Sequence, residues 1–266
     1  MMRIQRPGQK ILTIGNPGLS VTGPRGGAAP WTPASITGLK LWIDFSDANT
    51  LFTDAGTTKV TADGDAIYQA NDKSGNSVNV TQSSSGSRPL YKTNTQNSLS
   101  CALFDGTDDF MAVTSSLLAT YPWTLFVVCK ILDAGDKYPT IVSAESRDLQ
   151  YITGIEYASG FHDFLVGGHS GSRMITTGCV ENAWYSTSTI MSDGNCKSYV
   201  NGGLEGENAN TPTLKGTPVL ICIGGIEGAS YWHDSYISEV ILYSSALSDA
   251  NRQAVEAYLN DKWSVY

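Results

Sequence analysis

From Leu39 to Tyr243 the chain is a succession of short apolar runs, each closed by Gly, Asn, Asp or Ser. Even the longest, such as Leu125–Cys129, is strand-sized. Runs of this length bounded by turn residues read as strands. They fall at Leu39–Phe45, Ser100–Phe104, Trp123–Ile131, Thr140–Ser143, Leu149–Ile155, Phe164–Gly167, Met174–Thr177, Trp184–Met191, Lys197–Val200, Pro218–Ile223 and Tyr236–Tyr243. That many strands without a repeating period imply two packed sheets rather than a propeller or solenoid. Asp193-Gly194 predicts a hairpin between the two strands that flank it, and Asn201-Gly202 a further reversal. The Ser-, Asn- and Thr-rich stretch Asp72–Ser98 reads as a long surface excursion. Composition agrees: charged residues are 16%, below the usual quarter, and 27 glycines supply turns.

The two ends depart from this texture. After Ser248, which can cap a helix with Asp249 in its first turn, Val255, Tyr258, Leu259 and Trp263 fall on one helical face. Residues 1–33 hold six glycines, five prolines, Arg3, Arg6, Lys10 and Arg25, and no acidic residue. They read as an extended basic arm on a sandwich spanning 34–266. Of the 17 basic residues the arm takes four, leaving thirteen against 25 acidic ones in the body. Arg3, Arg6 and Arg25 suit carboxylates of a partner, and Ile11, Leu12 and Ile14 suit pairing with a sheet edge.

A net charge of −8 and a pI near 4.8 argue against a nucleic-acid partner. No apolar stretch is long enough for a membrane span, and the first residues lack the apolar core of a secretory signal. Cys101, Cys129, Cys179, Cys196 and Cys222 are widely spaced with no C-x-x-C pair, and are expected as reduced core thiols.

Three stretches carry a resemblance. They are Leu41-Trp42-Ile43-Asp44-Phe45-Ser46-Asp47 with Asn71-Asp72-Lys73-Ser74-Gly75-Asn76; Ala102-Leu103-Phe104-Asp105-Gly106-Thr107-Asp108-Asp109-Phe110; and Tyr236-Ile237-Ser238-Glu239-Val240-Ile241-Leu242-Tyr243 leading into the helix. In this order they resemble laminin-G-like, concanavalin A-like domains found in phage virion proteins and bacterial surface proteins. The resemblance implies an all-β, two-sheet antiparallel jelly-roll sandwich with one C-terminal helix, behind the extended N-terminal arm.

Such sandwiches serve as sugar binders, adhesion domains, glycosidases or spacers, so side chains must decide. The Glu-x-Asp-x-Glu spelling of retaining glucanases on this fold is absent. The carboxylate groups Asp63 with Asp65, and Asp105 with Asp108 and Asp109, sit in Gly-containing turns that favour Asp on their own account. His162, His169 and His233 accompany no nucleophile elbow, and Gly224-Gly225 lacks the lysine and helix of a phosphate loop. No catalytic residue or cofactor is assigned. Asp105, Asp108 and Asp109, with Asp234, leave calcium open, because related domains hold it with such loop oxygens. Tyr231, Trp232 and His233 are the candidate glycan contacts, with packing under a loop the alternative for Trp232. Trp42, Trp123 and Trp184 are expected in the core, and Glu239 is either a buried hydrogen-bonded carboxylate or an edge residue.

The leading expectation is a non-enzymatic phage-type virion structural protein, a capsid decoration, head fibre or tail-associated subunit present in many copies. The arm would dock it to capsid or tail proteins on the virion surface after synthesis in the host cytoplasm. The alternative is a carbohydrate-binding adhesion module recognising surface glycans, and a third reading is a glycan hydrolase.

Overall fold

The computed structural model describes residues 31–118, 120–133, 140–144, 151–158, 161–166, 174–178, 180–209, 219–225 and 232–266, with backbone alone described between 151 and 178. The arm residues Arg3, Arg6, Ile11, Leu12, Ile14 and Arg25 lie outside them. Residues Trp31–Tyr266 form one compact unit. Pro33 is buried within it, and its carbonyl accepts a hydrogen bond from the Tyr243 hydroxyl at 2.8 Å, so Trp31–Pro33 belong to this unit rather than to the preceding residues.

In chain order the strands are β1 (Leu39–Asp44), β2 (Leu51–Phe52), β3 (Gln69–Ala70), β4 (Val80–Thr81), β5 (Leu90–Gln96), β6 (Leu99–Asp105), β7 (Met111–Ser115), β8 (Trp123–Asp133) and β9 (Thr140–Ala144). Next come β10 (Tyr151–Ala158), β11 (Phe161–Val166), β12 (Met174–Gly178), β13 (Trp184–Met191), β14 (Cys196–Val200), β15 (Gly203–Asn208), β16 (Val219–Ile223) and β17 (Asp234–Tyr243), before helix α1 (Asp249–Trp263). One sheet has the order β15-β14-β13-β8-β17-β6-β5, with β1 also on β17, and the other β12-β11-β10-β9-β16-β7-β4-β3-β2. Every pairing is antiparallel. The expected all-β sandwich with a terminal helix is therefore the fold.

Strand β8 shows why its sequence is continuously apolar. Side chains alternate between faces, so Leu125, Val127 and Cys129 enter the core between the sheets while Phe126 and Val128 face α1. Both faces are covered, and nearly every residue is buried. The helix docks on that outer face with Val255, Leu259 and Trp263 against Phe126, Val128, Ile241 and Tyr243. Its amino end is capped as expected, the Ser248 hydroxyl accepting from Asn251 N–H at 3.4 Å. Its carboxyl end is held by side-chain amides: Gln96 donates to the Trp263 and Ser264 carbonyls at 2.8 and 3.0 Å, and Asn97 to the Lys262 carbonyl at 2.9 Å. Carbonyls that the helix cannot satisfy internally are thereby paired.

Two sequence expectations need correction. Asp72–Ser98 is not simply an excursion, because β4 and β5 lie inside it. Its first residues clamp β1: Asp72 accepts from Trp42 N–H at 2.9 Å, and Ser74 Oγ and Asn76 Nδ2 donate to the Lys40 carbonyl. Trp184 is half-buried and stacks on Tyr236, whereas Trp42 and Trp123 are buried as expected. The Asp193-Gly194 and Asn201-Gly202 turns do join adjacent antiparallel strands, β13–β14 and β14–β15. Cys101, Cys129, Cys196 and Cys222 are buried, and burial pushes the Cys101 thiol up to about 11. Cys179 lies outside the described residues.

Glu239 is the buried carboxylate. It is fully enclosed between β17 and α1 and receives four donors: Trp42 Nε1 at 2.6 Å, Tyr258 Oη at 3.0 Å, Lys262 Nζ at 2.8 Å and Trp263 Nε1 at 2.8 Å. Lys262 also reaches Asp44 at 2.8 Å, and Lys73 bridges Asp44 and Asp47. Burial pushes Asp44 up, but Lys262 and Lys73 outweigh it and hold the carboxyl below its ordinary range. Glu239→Ala would strand two indole nitrogens and the Tyr258 hydroxyl and leave Lys262 with Asp44 alone. The expected loss is about 3–5 kcal/mol, read from urea unfolding at neutral pH. A loss below about 1 kcal/mol would mean that packing alone seats the helix.

Candidate functional site

The carboxylates picked out in the sequence come together at one rim. Asp105 ends β6 and pairs in register with Asp234 at the start of β17, itself opposite Asp133 on β8. A tight turn follows, in which Asp105 Oδ1 accepts from Thr107 N–H at 2.8 Å and Gly106 has a φ of 69°. A β-carbon on Gly106 would press on Asp234, so glycine here serves both the turn and the close approach. Asp109 folds back under the turn and accepts from Asp105 N–H at 3.1 Å, while Asp108 accepts from Ser87 Oγ at 2.8 Å.

Oxygens of Asp105, Asp108 and Asp109 lie within 4.8 Å of one another. Such spacing fits ligands placed at about 2.3–2.6 Å from one calcium ion. Asp105 is exposed, Asp108 half-buried and Asp109 buried. Burial, then the charges of Asp105 and Asp108, push the Asp109 carboxyl up to about 7. Burial and the charges of Asp133 and Asp105 also raise Asp234. These carboxylates crowd one another, and a divalent cation or a hydroxyl-rich ligand would relieve that crowding.

Beside this turn Phe110 and Trp232 stack, with ring centroids 5.5 Å apart and planes inclined by 23°. Both are half-buried. Trp232 also rests on Gly225, where a β-carbon would overlap the indole, and Gly224 makes the same room for Phe104. The glycine pair that is no phosphate loop is thus the seat of two rings. Trp232 is thus held between Gly225 and Phe110, a residue that sequence reasoning does not single out, and the two stacked rings remain partly exposed.

Tyr231 and His169 lie outside the described residues, and of His162 only the backbone on β11 is described. His233 is fully buried, because alternation along the chain turns it inward between Trp232 and Asp234. An enclosed imidazole cannot touch an external glycan. Among the described residues neither ring nitrogen has a hydrogen bond of good geometry, and burial, only partly opposed by the Asp234 backbone, lowers its pKa to about 3. The unfolded chain takes up a proton below about 6.5 that the native state refuses until about 3, so His233 costs stability as pH falls through that window. Between pH 7.5 and 5 it should remove about 2 kcal/mol, a loss that His233→Gln removes from the urea-measured pH profile. An unchanged profile in that variant would show that the imidazole reaches solvent or a partner.

Comparison with known proteins places this geometry. The family described as the concanavalin A-like lectin/glucanases superfamily matches residues 105–251, more than half of the chain. No curated protein is significantly similar in sequence. Among solved structures, a Trypanosoma rangeli sialidase in complex with sialic acid superposes with a TM-score of 0.59 at 14% identity, over 85% of this chain and 33% of that one. The chain thus spans about a third of that sialidase's length. Domain 4 of AbnA, a GH43 extracellular arabinanase from Geobacillus stearothermophilus in complex with arabinotriose, gives 0.59 at 14% identity, over 82% of this chain and 98% of that domain. The ligand binding domain of botulinum neurotoxin serotype D in complex with N-acetylneuraminic acid gives 0.55 at 16% identity, over 85% and 52%. At these identities the structural likeness concerns the fold, whereas the family model reads the sequence itself: the chain belongs to the concanavalin A-like lectin/glucanases superfamily.

Proposed function

We propose that the sandwich is a carbohydrate-binding module that holds a glycan at the rim of Phe110, Trp232, Asp105, Asp108 and Asp234, without cleaving it. The observation that carries this reading is the juxtaposition of a partly exposed, stacked aromatic pair with converging carboxylates. Rings cover the apolar faces of sugars, and carboxylate oxygens accept from their hydroxyls, directly or through a cation. Similar sandwiches in the arabinanase domain and the neurotoxin domain are described with sugars bound, which supports the class of ligand. The non-hydrolytic part is supported by the missing Glu-x-Asp-x-Glu strand, which leaves no pair of carboxylates side by side on one strand to attack and to protonate the leaving group.

The virion reading concerns where the module is carried. It is supported by the resemblance and by the charge opposition between residues 1–33 and the remainder, and it proposes the arm as the docking segment to capsid or tail proteins. Incorporation of a chain lacking residues 1–33 into particles at undiminished occupancy would overturn it.

A glycan array probed with the full chain, with calcium and with EDTA, tests the binding reading. Phe110→Ala should weaken the best ligand about tenfold, consistent with the loss of one ring contact of about 1–1.5 kcal/mol. Retained affinity in Phe110→Ala and Asp108→Ala alike would place any glycan elsewhere, and release of reducing sugar from a bound oligosaccharide would refute the non-hydrolytic part.

A further inference from the structure

The outer face of α1 carries a feature that the glycan rim does not use. Ala254, Ala257, Tyr258 and Asp261 follow one helical stripe, and with Trp31 they line a groove of about 350 Å³. Trp31 is 40% exposed, unusual for so large an apolar side chain. Its ring lies 5.8 Å from that of Tyr258, the planes inclined at 50°, so the two form an open wedge. The two alanines leave the floor low and apolar. Asp261 stands exposed at one end, with no hydrogen bond or ion pair among the described residues.

The polar resources of the wedge limit what can occupy it. The Tyr258 hydroxyl is committed to Glu239 at 3.0 Å, which fixes the ring and removes its donor. The nearest ammonium, Lys262 at 5.8 Å from the Tyr258 centroid, is held by Asp44 and Glu239 at 2.8 Å each. A neutral sugar would find the Trp31 indole N–H and one carboxylate, with an alanine floor between them that meets none of its other hydroxyls, and an anion would meet Asp261. Two electron-rich ring faces, an apolar floor and an unpaired carboxylate complement an organic cation whose charge is spread over methyl groups.

We propose that the Trp31–Tyr258–Asp261 groove binds a quaternary ammonium group of the choline type. A trimethylammonium within about 6 Å of both ring centroids gains cation–π attraction from each, while Asp261 supplies the counter-charge without needing a hydrogen bond. The site is independent of the glycan rim, being built on a different element.

The test is an NMR titration of the full chain with choline and with 3,3-dimethyl-1-butanol, which has the same shape but no charge. Choline should bind saturably and the alcohol about tenfold more weakly or not at all. Trp31→Ala should abolish choline binding, Trp31→Phe retain part of it, and Asp261→Asn weaken it several-fold with a smaller salt dependence. Asp261 is exposed, so Asp261→Asn should unfold at the wild-type urea midpoint, and Trp31→Phe, which keeps a ring against Tyr258, close to it. Co-sedimentation with phosphatidylcholine vesicles that is lost in Trp31→Ala would assign the group to a lipid headgroup, and choline binding without vesicle retention would assign it to a free ion. Equal binding of the alcohol, wild-type choline affinity in Trp31→Ala, or absence of saturable binding would overturn the proposal.

Discussion

One enclosed carboxylate organises the outer half of this molecule. Burying Glu239 would be prohibitive alone, and the chain answers by surrounding it with donors from β1 and α1. Trp42, Tyr258, Lys262 and Trp263 can meet at one point only when β1 lies on β17 and the helix lies across both. The apolar contacts of α1 would tolerate some sliding, whereas four directional bonds to two oxygens do not. Arg252 adds a second anchor: its Nη1 donates to both oxygens of Glu256 at 2.7 and 2.6 Å, Ser188 of β13 donates to the same carboxylate, and the guanidinium lies over Tyr199 of β14 at 3.7 Å. Hydrophobic burial holds the helix on, and buried polar pairs fix where it sits.

The elements legible in the sequence are those whose pattern follows from burial. Strands β8, β13 and β17 are buried on both faces, and the apolar runs of β8 and β17 and the aromatic and apolar ends of β13 mark them in the sequence. Strand β5, Leu-Tyr-Lys-Thr-Asn-Thr-Gln, did not, because it is an edge strand with little to bury, and its chief work is done by Gln96 at the helix end. Strands β2, β3 and β4 are two residues long, too short for any alternation to register. The motif Asp72-Lys73-Ser74-Gly75-Asn76 was recognisable as letters, yet its task of clamping β1 from some thirty residues away could not be read locally.

The candidate site shows the same division. Asp105, Asp108 and Asp109 are close in sequence and close in space, so their grouping was readable. Tyr231-Trp232-His233 reads in sequence as a run of candidate contacts, yet alternation sends consecutive residues to opposite faces and His233 is enclosed. Phe110 was overlooked because its relation to Trp232 spans more than a hundred residues, and the role of Gly225 in seating that indole is a tertiary fact. The ring of donors about Glu239 likewise joins residues at both ends of the sandwich, a relation that no window of sequence contains.

The position of β17 bears on how the protein is made. It lies at the middle of its sheet, with β8 along one side and β6 and then β1 along the other, yet it is the last strand in the chain. A ribosome synthesises from the amino end at about 5–20 residues per second, so β1, β6 and β8 emerge well before the strand they share. Through that interval the apolar flank of β8 has β13 on one side and nothing on the other. The sandwich closes only when Asp234 and the residues after it are delivered, and a nascent chain stalled before Asp234 presents open strand edges of the kind that chaperones cover and aggregation exploits.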